Sequence, residues 1–186
     1  MAKSKKKIPA SVAKRAKQIQ VLLMDVDGTI TKGGVYLLSQ PDGSALEMKA
    51  FDAHDGQGIL LARTAGIRTG FITGRESAAL RHRAKELGVE FVYEKQPHKI
   101  AAYEEILRKT GVPESAVCFL GDDLPDLTVM KRVGFAVAVG DSAQEVIDAA
   151  HYVCKAKGGE GAAREIVELI LKSKGIWEEM IDKARA

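Results

Sequence analysis

Cysteine, aromatic residues and long apolar runs are all scarce in this sequence. Its 186 residues include two cysteines and one tryptophan, and only 5% are aromatic. Cys118 and Cys154 lie in apolar, strand-like stretches without the CxxC spacing of a metal or redox site, so we expect reduced core residues. No run approaches the ~18 apolar residues of a membrane helix, and no apolar signal core follows the first lysines. We therefore expect a cytoplasmic protein without a membrane partner.

Acidic residues are absent from residues 1–17, which carry seven basic side chains. The rest of the chain holds 21 basic and 25 acidic residues, so the formal net charge of +3 conceals an acidic body. Residues 1–17 lack interleaved aromatic residues, and we interpret them as a flexible basic leader. The alternative, nucleic-acid binding through this leader, predicts that deletion of residues 1–17 abolishes the main function.

The chain alternates regularly between strand-like and helical patterns. Apolar runs of strand length occur at 20–26, 67–73, 89–93, 116–120, 135–139 and 151–154. Helical spacing occurs at 56–65, 77–87, 97–110, 125–133, 142–149 and 161–174. This alternation predicts an α/β fold, a Rossmann-like doubly wound parallel sheet with helices on both faces. We expect one domain over residues 18–175 and a C-terminal extension over 176–186.

Residues 34–51 interrupt this alternation. Two strand-like runs flank the turn Gln40-Pro41-Asp42-Gly43, which predicts a β-hairpin inserted after the first strand. An isolated hairpin is marginally stable in water. We therefore expect it to pack on the domain or on another subunit.

Polar side chains cluster where the predicted strands end. In a parallel sheet, ligands bind beyond the carboxyl ends of the strands. The residues that converge there are Asp25, Asp27, Thr73, Arg75, Lys99, Asp122, Asp123 and Asp126. Closely packed carboxylates favour a hard cation such as Mg²⁺, and the added lysine and hydroxyl suit phosphoryl transfer. Because the chain has no Walker A sequence, an aspartate is the expected nucleophile.

Each of these motifs also has a simpler interpretation. A calcium-binding loop starting at Asp25 needs Gly at its sixth position and Glu at its twelfth, where this chain has Ile30 and Tyr36. Thr73 with its neighbours could simply begin a helix, and Lys99 alone could be a solvated lysine. Their joint occurrence at successive strand ends favours a phosphoryl-transfer site.

These residues resemble the haloacid dehalogenase superfamily of phosphohydrolases. Its four motifs are matched by Asp25-Val26-Asp27-Gly28-Thr29, Thr73, Lys99 and Gly121-Asp122-Asp123. The resemblance implies that Asp25 is the nucleophile and Asp27 the general acid and base. It also implies that Thr73 and Lys99 hold the phosphoryl group, and that Mg²⁺ binds Asp25, Asp122 and the backbone carbonyl of Asp27. Asp123 and Asp126 are expected either to support the metal ligands or to be alternative ligands.

Many members of this superfamily carry a cap domain inserted after the first or third strand, but the insertions of this chain are too short for one. Residues 19–175 resemble the capless 3-deoxy-D-manno-octulosonate 8-phosphate phosphatases of lipopolysaccharide precursor synthesis. The matching segments are 51–59, 74–77 with Arg83, 86–88 and 158–165. The resemblance implies a homotetramer whose hairpins form a central barrel. It further implies substrate contacts from Asp27, Asp52, Ala53, His54, Asp55, Gly56, Arg75, Arg83 and Lys99.

Two departures from that family keep alternatives open. His54 stands where the family usually has arginine, and residues 94–98 differ from the usual loop before the lysine. A nine-carbon sugar acid 9-phosphate is therefore an alternative substrate. His54 could be a neutral loop residue, and Arg83 a solvated helix residue. A non-catalytic assembly subunit is the alternative from another functional class, and Mg²⁺-dependent phosphate release separates the two.

Overall fold

A six-stranded parallel sheet lies at the centre of the computed structural model, which describes residues 8–185. The strands of the chain are β1 (Val21–Met24), β2 (Tyr36–Ser39), β3 (Ala45–Met48), β4 (Arg68–Ile72), β5 (Phe91–Tyr93), β6 (Val117–Gly121), β7 (Phe135–Ala138) and β8 (Tyr152–Val153). The sheet has the order β5-β4-β1-β6-β7-β8, and each neighbouring pair is parallel. The predicted parallel sheet is confirmed.

Helices cover both faces of this sheet, as predicted. They are α1 (Ala10–Lys17), α2 (Ala53–Thr64), α3 (Ala78–Leu87), α4 (Ile100–Thr110), α5 (Leu127–Met130), α6 (Gln144–Ala149), α7 (Ala162–Lys174) and α8 (Trp177–Arg185). One apolar cluster includes residues of α1, α2, α3 and α7, and a second includes residues of α4, α5 and α6. Across residues 8–185, no helix combines the length and the apolar character needed to cross a membrane.

Strand β1 explains how the two clusters are divided. All four of its residues are buried. Leu22 and Met24 belong to one cluster and Val21 and Leu23 to the other, because successive side chains of a strand point to opposite faces. The chain order reverses at β1, which pairs with β4 on one side and β6 on the other. Ligands bind at such a switch point, and the loop after β1 begins there.

The N-terminal prediction needs a correction. Residues 10–17 form helix α1, in which Val12 and Ala16 are buried against the core cluster. The backbone carbonyl of Lys17 accepts a hydrogen bond of 3.0 Å from the Lys174 ammonium. The expectation of a flexible leader is therefore wrong for residues 10–17, whose apolar face is docked. Residues 1–7 lie outside the described residues. The C-terminal extension forms α8 with buried Met180 up to residue 185, and residue 186 is also outside.

The hairpin after the first strand is present as an antiparallel pair. Tyr36 lies opposite Met48, and Leu38 opposite Leu46. Within residues 8–185, β2 and β3 pair only with each other. Most of its large apolar side chains are more than half exposed, namely Val35, Tyr36, Leu37, Leu38, Leu46 and Met48. An exposed apolar patch of this kind is typical of an interaction surface.

Replacing Val12 tests whether α1 is docked. Val12 is 6% exposed, so Val12→Ala should lower the free energy of unfolding by about 1–2 kcal/mol through lost burial. Urea denaturation measures this change. The matched control is Lys14→Ala on the solvent side of the same helix, which should change it by less than about 0.5 kcal/mol. Equal effects of the two variants would show that α1 adds no packing.

Candidate active site

The loop after β1 carries the predicted nucleophile. Asp25 is 7% exposed, and its backbone N–H continues the strand ladder by donating to the Leu120 carbonyl at 2.9 Å. Gly28 has a φ of +96°, and a Cβ at this position would lie 2.1 Å from Oδ2 of Asp122. Glycine is therefore required here for two reasons, its left-handed backbone and the close approach of the two acidic loops.

Three carboxylates form a cluster at this edge of the sheet. Asp25, Asp122 and Asp126 each offer an oxygen within 4.8 Å of the other two. Asp122 is oriented by Thr29, whose hydroxyl donates to Oδ1 at 2.7 Å. Asp123 is exposed, and its carboxylate accepts from the Leu124 amide instead of joining the cluster. Asp126, which the sequence left as an alternative ligand, is thus part of the cluster, and Asp123 is not.

Lys99 lies between two of these carboxylates. It is 4% exposed, and its ammonium contacts both Asp25 and Asp126. Burial opposes the charged form of Lys99, but the two carboxylates outweigh it and raise the pKa of Lys99 above its usual value. The lysine is therefore a fixed positive charge next to the predicted nucleophile.

The cluster carries more negative charge than Lys99 neutralises. Burial raises the pKa of Asp25 to about 8, against the opposing effect of Lys99, and the neighbouring Asp126 and Asp122 also raise it. Burial likewise raises the pKa of Asp122 to about 6. Both shifts show that ionised carboxylates are disfavoured at this position unless a further cation is present.

The donor set fits a hard divalent cation. Oδ1 of Asp25 contacts Lys99, and Oδ1 of Asp122 accepts from Thr29, so one oxygen of each carboxylate lies outside these contacts. Asp126 differs, because Oδ1 contacts Lys99 and Oδ2 accepts from the amides of Asp122 and Asp123 at 2.9 and 3.2 Å. Asp25 and Asp122 are thus available as ligands, whereas Asp126 positions its neighbours.

Asp27 lies in a second charged group, which includes two residues that the sequence reasoning missed. Its carboxylate contacts the ammonium of Lys49 and lies 3.9 Å from Nε of Arg75. The carboxylate of Glu47 lies 3.5 Å from both Lys49 and Arg75. Glu47 and Lys49 are two residues apart in the hairpin, so their shared face was the only available signal in the sequence.

Thr73 and Arg75 lie beyond the carboxyl end of β4, at the edge of the sheet where the site is predicted. Thr73 follows β4, is 2% exposed, and its hydroxyl accepts a 3.3 Å hydrogen bond from the Arg75 amide. Strand β4 pairs with β1 in a register that places Phe71 beside Met24, so Thr73 lies next to the loop that carries Asp25. The side chain of Arg75 is 44% exposed and reaches the Asp27 group.

The predicted substrate segment 52–56 divides into exposed and buried residues. Asp52 caps α2 by accepting the Asp55 amide at 3.0 Å, while Ala53 and His54 are exposed. Asp55 is 1% exposed, and its two oxygens accept the amides of Arg164 and Gly161 at 2.9 and 3.1 Å. The Asp55 carboxylate therefore anchors the start of α7, and the substrate contact expected of Asp55 stays a prediction.

Arg83 lies beside Gly56 and away from the carboxylate cluster. A Cβ at Gly56 would come 2.0 Å from Nη2 of Arg83, so glycine makes room for the guanidinium. Arg83 also pairs with Glu86 at 2.9 Å. None of its hydrogen bonds or ion pairs in residues 8–185 reaches Asp25, Asp122 or Asp126.

A glycine turn supports the loop of Asp25 from the opposite side. Gly158 packs so closely that a Cβ on it would lie 1.7 Å from the carbonyl oxygen of Gly28. The Gly159 amide donates to the Thr29 carbonyl at 2.9 Å. The sequence indicated this segment only through resemblance, and its role is to hold the backbone of the acidic loop.

Comparison with known proteins identifies relatives along most of the chain. A family described as haloacid dehalogenase-like hydrolase matches residues 89–166. The 3-deoxy-D-manno-octulosonate 8-phosphate phosphatase KdsC of Escherichia coli K12 is 37% identical over 172 residues, covering 92% of this chain and 89% of that protein. The KdsC protein of Yersinia pestis is 41% identical over 160 residues, covering 86% of this chain and 83% of that protein.

Solved structures give the same relationship. A probable YrbI family phosphatase from Pseudomonas syringae has a TM-score of 0.89 at 39% identity, covering 96% of this chain and 99% of that chain. A second solved structure is the Moraxella catarrhalis 3-deoxy-D-manno-octulosonate 8-phosphate phosphatase in complex with magnesium, phosphate and KDO. It has a TM-score of 0.86 at 35% identity, covering 92% of this chain and 97% of that chain. With this identity along nearly its whole length, the chain belongs to the 3-deoxy-D-manno-octulosonate 8-phosphate phosphatase family of haloacid dehalogenase-like hydrolases.

Proposed function

We propose that this protein is a magnesium-dependent phosphatase that hydrolyses 3-deoxy-D-manno-octulosonate 8-phosphate to the free sugar acid and phosphate. The observation that carries the proposal is the cluster of Asp25, Asp122 and Asp126, in which Asp25 and Asp126 contact the buried ammonium of Lys99. This cluster occurs in a chain that is 37% and 41% identical to phosphatases for that substrate.

Asp25 and Asp27 divide the chemistry between them. Asp25 attacks phosphorus, and the bond from phosphorus to the sugar oxygen breaks. Asp27 protonates that oxygen, and the sugar acid leaves. Asp27 then takes a proton from water, which attacks the aspartyl phosphate and breaks the bond between phosphorus and the Asp25 oxygen. Asp27 suits this role because its carboxylate lies outside the Asp25 cluster, and its Oδ2 has no hydrogen-bond partner among the described residues.

The remaining groups hold the phosphoryl oxygens. Lys99 is a buried positive charge beside Asp25, and Thr73 supplies a hydroxyl at the same edge of the sheet. Magnesium, held by Asp25, Asp122 and the backbone carbonyl of Asp27, would neutralise charge on the transferring group. Asp126 keeps Lys99 and the Asp122 loop in position, since it accepts from both.

We assign binding of the sugar acid to groups around this edge. Arg75 is partly exposed beside Asp27, and a guanidinium suits bidentate binding of a carboxylate. Asp52, Ala53, His54 and Gly56 form the second group, with Arg83 beside Gly56. The exposed His54, which replaces the usual arginine, makes the nine-carbon sugar acid 9-phosphate the competing substrate.

The hairpin supports a proposal about assembly. Its exposed apolar residues would be buried if four copies formed a central barrel, giving a homotetramer. A capless domain leaves its site open, and a neighbouring subunit would then help to exclude water.

Phosphate release tests the reaction and its nucleophile. With Mg²⁺, the protein should hydrolyse the eight-carbon sugar acid phosphate with a kcat/KM at least ~10-fold above that for simple sugar phosphates, because two anionic groups are recognised. Asp25→Asn should reduce the rate by roughly four orders of magnitude or more, since no nucleophile remains.

The matched control for that experiment is Asp123→Asn, which removes the charge of the exposed carboxylate that caps the helical turn Leu124–Asp126. It should retain the rate within about 3-fold. Wild-type activity in Asp25→Asn would refute Asp25 as the nucleophile. A higher kcat/KM for the nine-carbon than for the eight-carbon sugar acid phosphate would refute the proposed substrate.

Thermal unfolding tests the metal site without relying on turnover. Mg²⁺ at 100 times its Kd should stabilise the protein by ~2.7 kcal/mol, which corresponds to roughly 5–10 °C in Tm for a domain of this size. Asp122→Asn should at least halve this shift because one ligand loses its charge, while Asp123→Asn should keep it. Equal shifts in both variants would contradict Asp122 as a ligand.

Light scattering tests the assembly. The wild type should have four times the 20.1 kDa mass of one chain. Leu38→Glu should lower this mass, because the interface would bury a charge, whereas Leu124→Glu should not. These leucines are 64% and 53% exposed in the isolated chain, so they are a matched pair. A monomeric wild type, or an unchanged Leu38→Glu tetramer, would refute assembly through the hairpin.

A further inference from the structure

Glu47 has one carboxylate oxygen in use and one without a partner. Oε1 lies 3.5 Å from both Nζ of Lys49 and Nη2 of Arg75. Oε2 is buried and has no hydrogen-bond partner among the described residues, a property that it shares with Oδ2 of Asp27. A buried oxygen of this kind costs free energy unless a donor reaches it. The presence of two such oxygens in one charged group therefore points to a common ligand.

Two cations place Glu47 close to the general acid. The guanidinium of Arg75 spans the two carboxylates, with Nε 3.9 Å from Oδ2 of Asp27 and Nη2 3.5 Å from Oε1 of Glu47. The ammonium of Lys49 contacts both acids as well. A single guanidinium group therefore separates the carboxylate of Glu47 from that of Asp27, the proposed general acid.

The charge state of Glu47 makes it an acceptor. Burial raises its pKa, but the Ser77 hydroxyl, which lies near the carboxylate without forming a hydrogen bond to it, and the cations Lys49 and Arg75 outweigh burial, so the pKa lies below the usual value. An ionised carboxylate accepts hydrogen bonds and donates none. The matching group on a ligand is a hydroxyl.

A sugar phosphate provides such a hydroxyl at the required place. When the ester is on the terminal carbon of a sugar, the next carbon carries a hydroxyl, a few bonds from the leaving oxygen. We propose that Glu47 accepts a hydrogen bond from this hydroxyl and is thereby a specificity-determining residue, an inference that rests on the proposed phosphatase function. Glu47 thus distinguishes polyol phosphates from esters without a neighbouring hydroxyl.

Two small esters isolate this hydroxyl, namely propane-1,2-diol 1-phosphate and n-propyl phosphate. The wild type should prefer the diol ester by ~10-fold or more in kcat/KM, because a site built for a hydroxyl disfavours the analogue that lacks it. Glu47→Ala should bring the ratio close to one by lowering the diol value alone. Where turnover is too slow, inhibition constants against the sugar acid phosphate compare the binding of the two esters instead, and the same preference for the diol ester is expected.

Two further variants complete the design. Asp42→Asn removes another carboxylate of the same hairpin, at its exposed turn, and should leave the ratio unchanged. Glu47→Gln keeps the shape but loses the charge, so a ~10-fold ratio should fall to ~3-fold, since a charge-assisted hydrogen bond is roughly twice as strong as a neutral one. The glutamine variant also gives the answer if Glu47→Ala fails to fold.

The outcomes separate this inference from the proposed function. A wild-type ratio near one, an unchanged ratio in both Glu47 variants, or an equal loss on both esters overturns the role of Glu47 while phosphatase activity remains. If the wild type with Mg²⁺ releases no phosphate from the sugar acid phosphate, the proposed function itself fails, and the inference fails with it.

Discussion

The contact of one buried ammonium with two buried carboxylates is the constraint on which this site depends. Lys99 at the start of α4 contacts Asp25 after β1 and Asp126 after β6, so it ties together the ends of three distant segments. A lone charge at such depth would be strongly disfavoured. Burial is the main cause of the raised pKa of Asp25 and of Asp122, and the surplus negative charge that remains after Lys99 is counted adds to it. The same surplus makes a divalent cation the natural complement.

Backbone contacts keep these charges together. Gly28 allows the loops after β1 and β6 to touch, and Gly158 packs on the carbonyl of Gly28 from the other side. Asp55 then holds the start of α7, immediately after this glycine turn. The acidic loop is thus clamped between the sheet and the segment that leads into α7, which limits how far Asp25 can move. This support is made from glycines and one buried acid, without using the side chains proposed to be catalytic.

Residues with local patterns could be predicted from the sequence, and residues defined by distant contacts could not. Buried strands are visible as apolar runs, and their parallel order places Asp25, Thr73 and Asp122 at one edge. The basic residues of the N-terminal segment hid an apolar face formed by Val12 and Ala16, because two small side chains give a weak periodic signal. The structural role of Asp55 was not visible in the sequence, since its partners, Gly161 and Arg164, are over 100 residues away. Glu47 and Lys49 were missed for the same reason, as their contacts form only when the hairpin folds back.

The alternation of β3 assigns two separate tasks to neighbouring residues. Leu46 and Met48 are exposed, whereas Glu47 and Lys49 are partly buried beside Asp27. A shift of one residue in the register would exchange the two sets, placing apolar side chains next to the acid and charges outside. The hairpin therefore tolerates a change of length less well than an ordinary surface loop does. Single-residue insertions or deletions within β3 should be rare among functional descendants of this sequence, while substitutions on its two faces can accumulate independently.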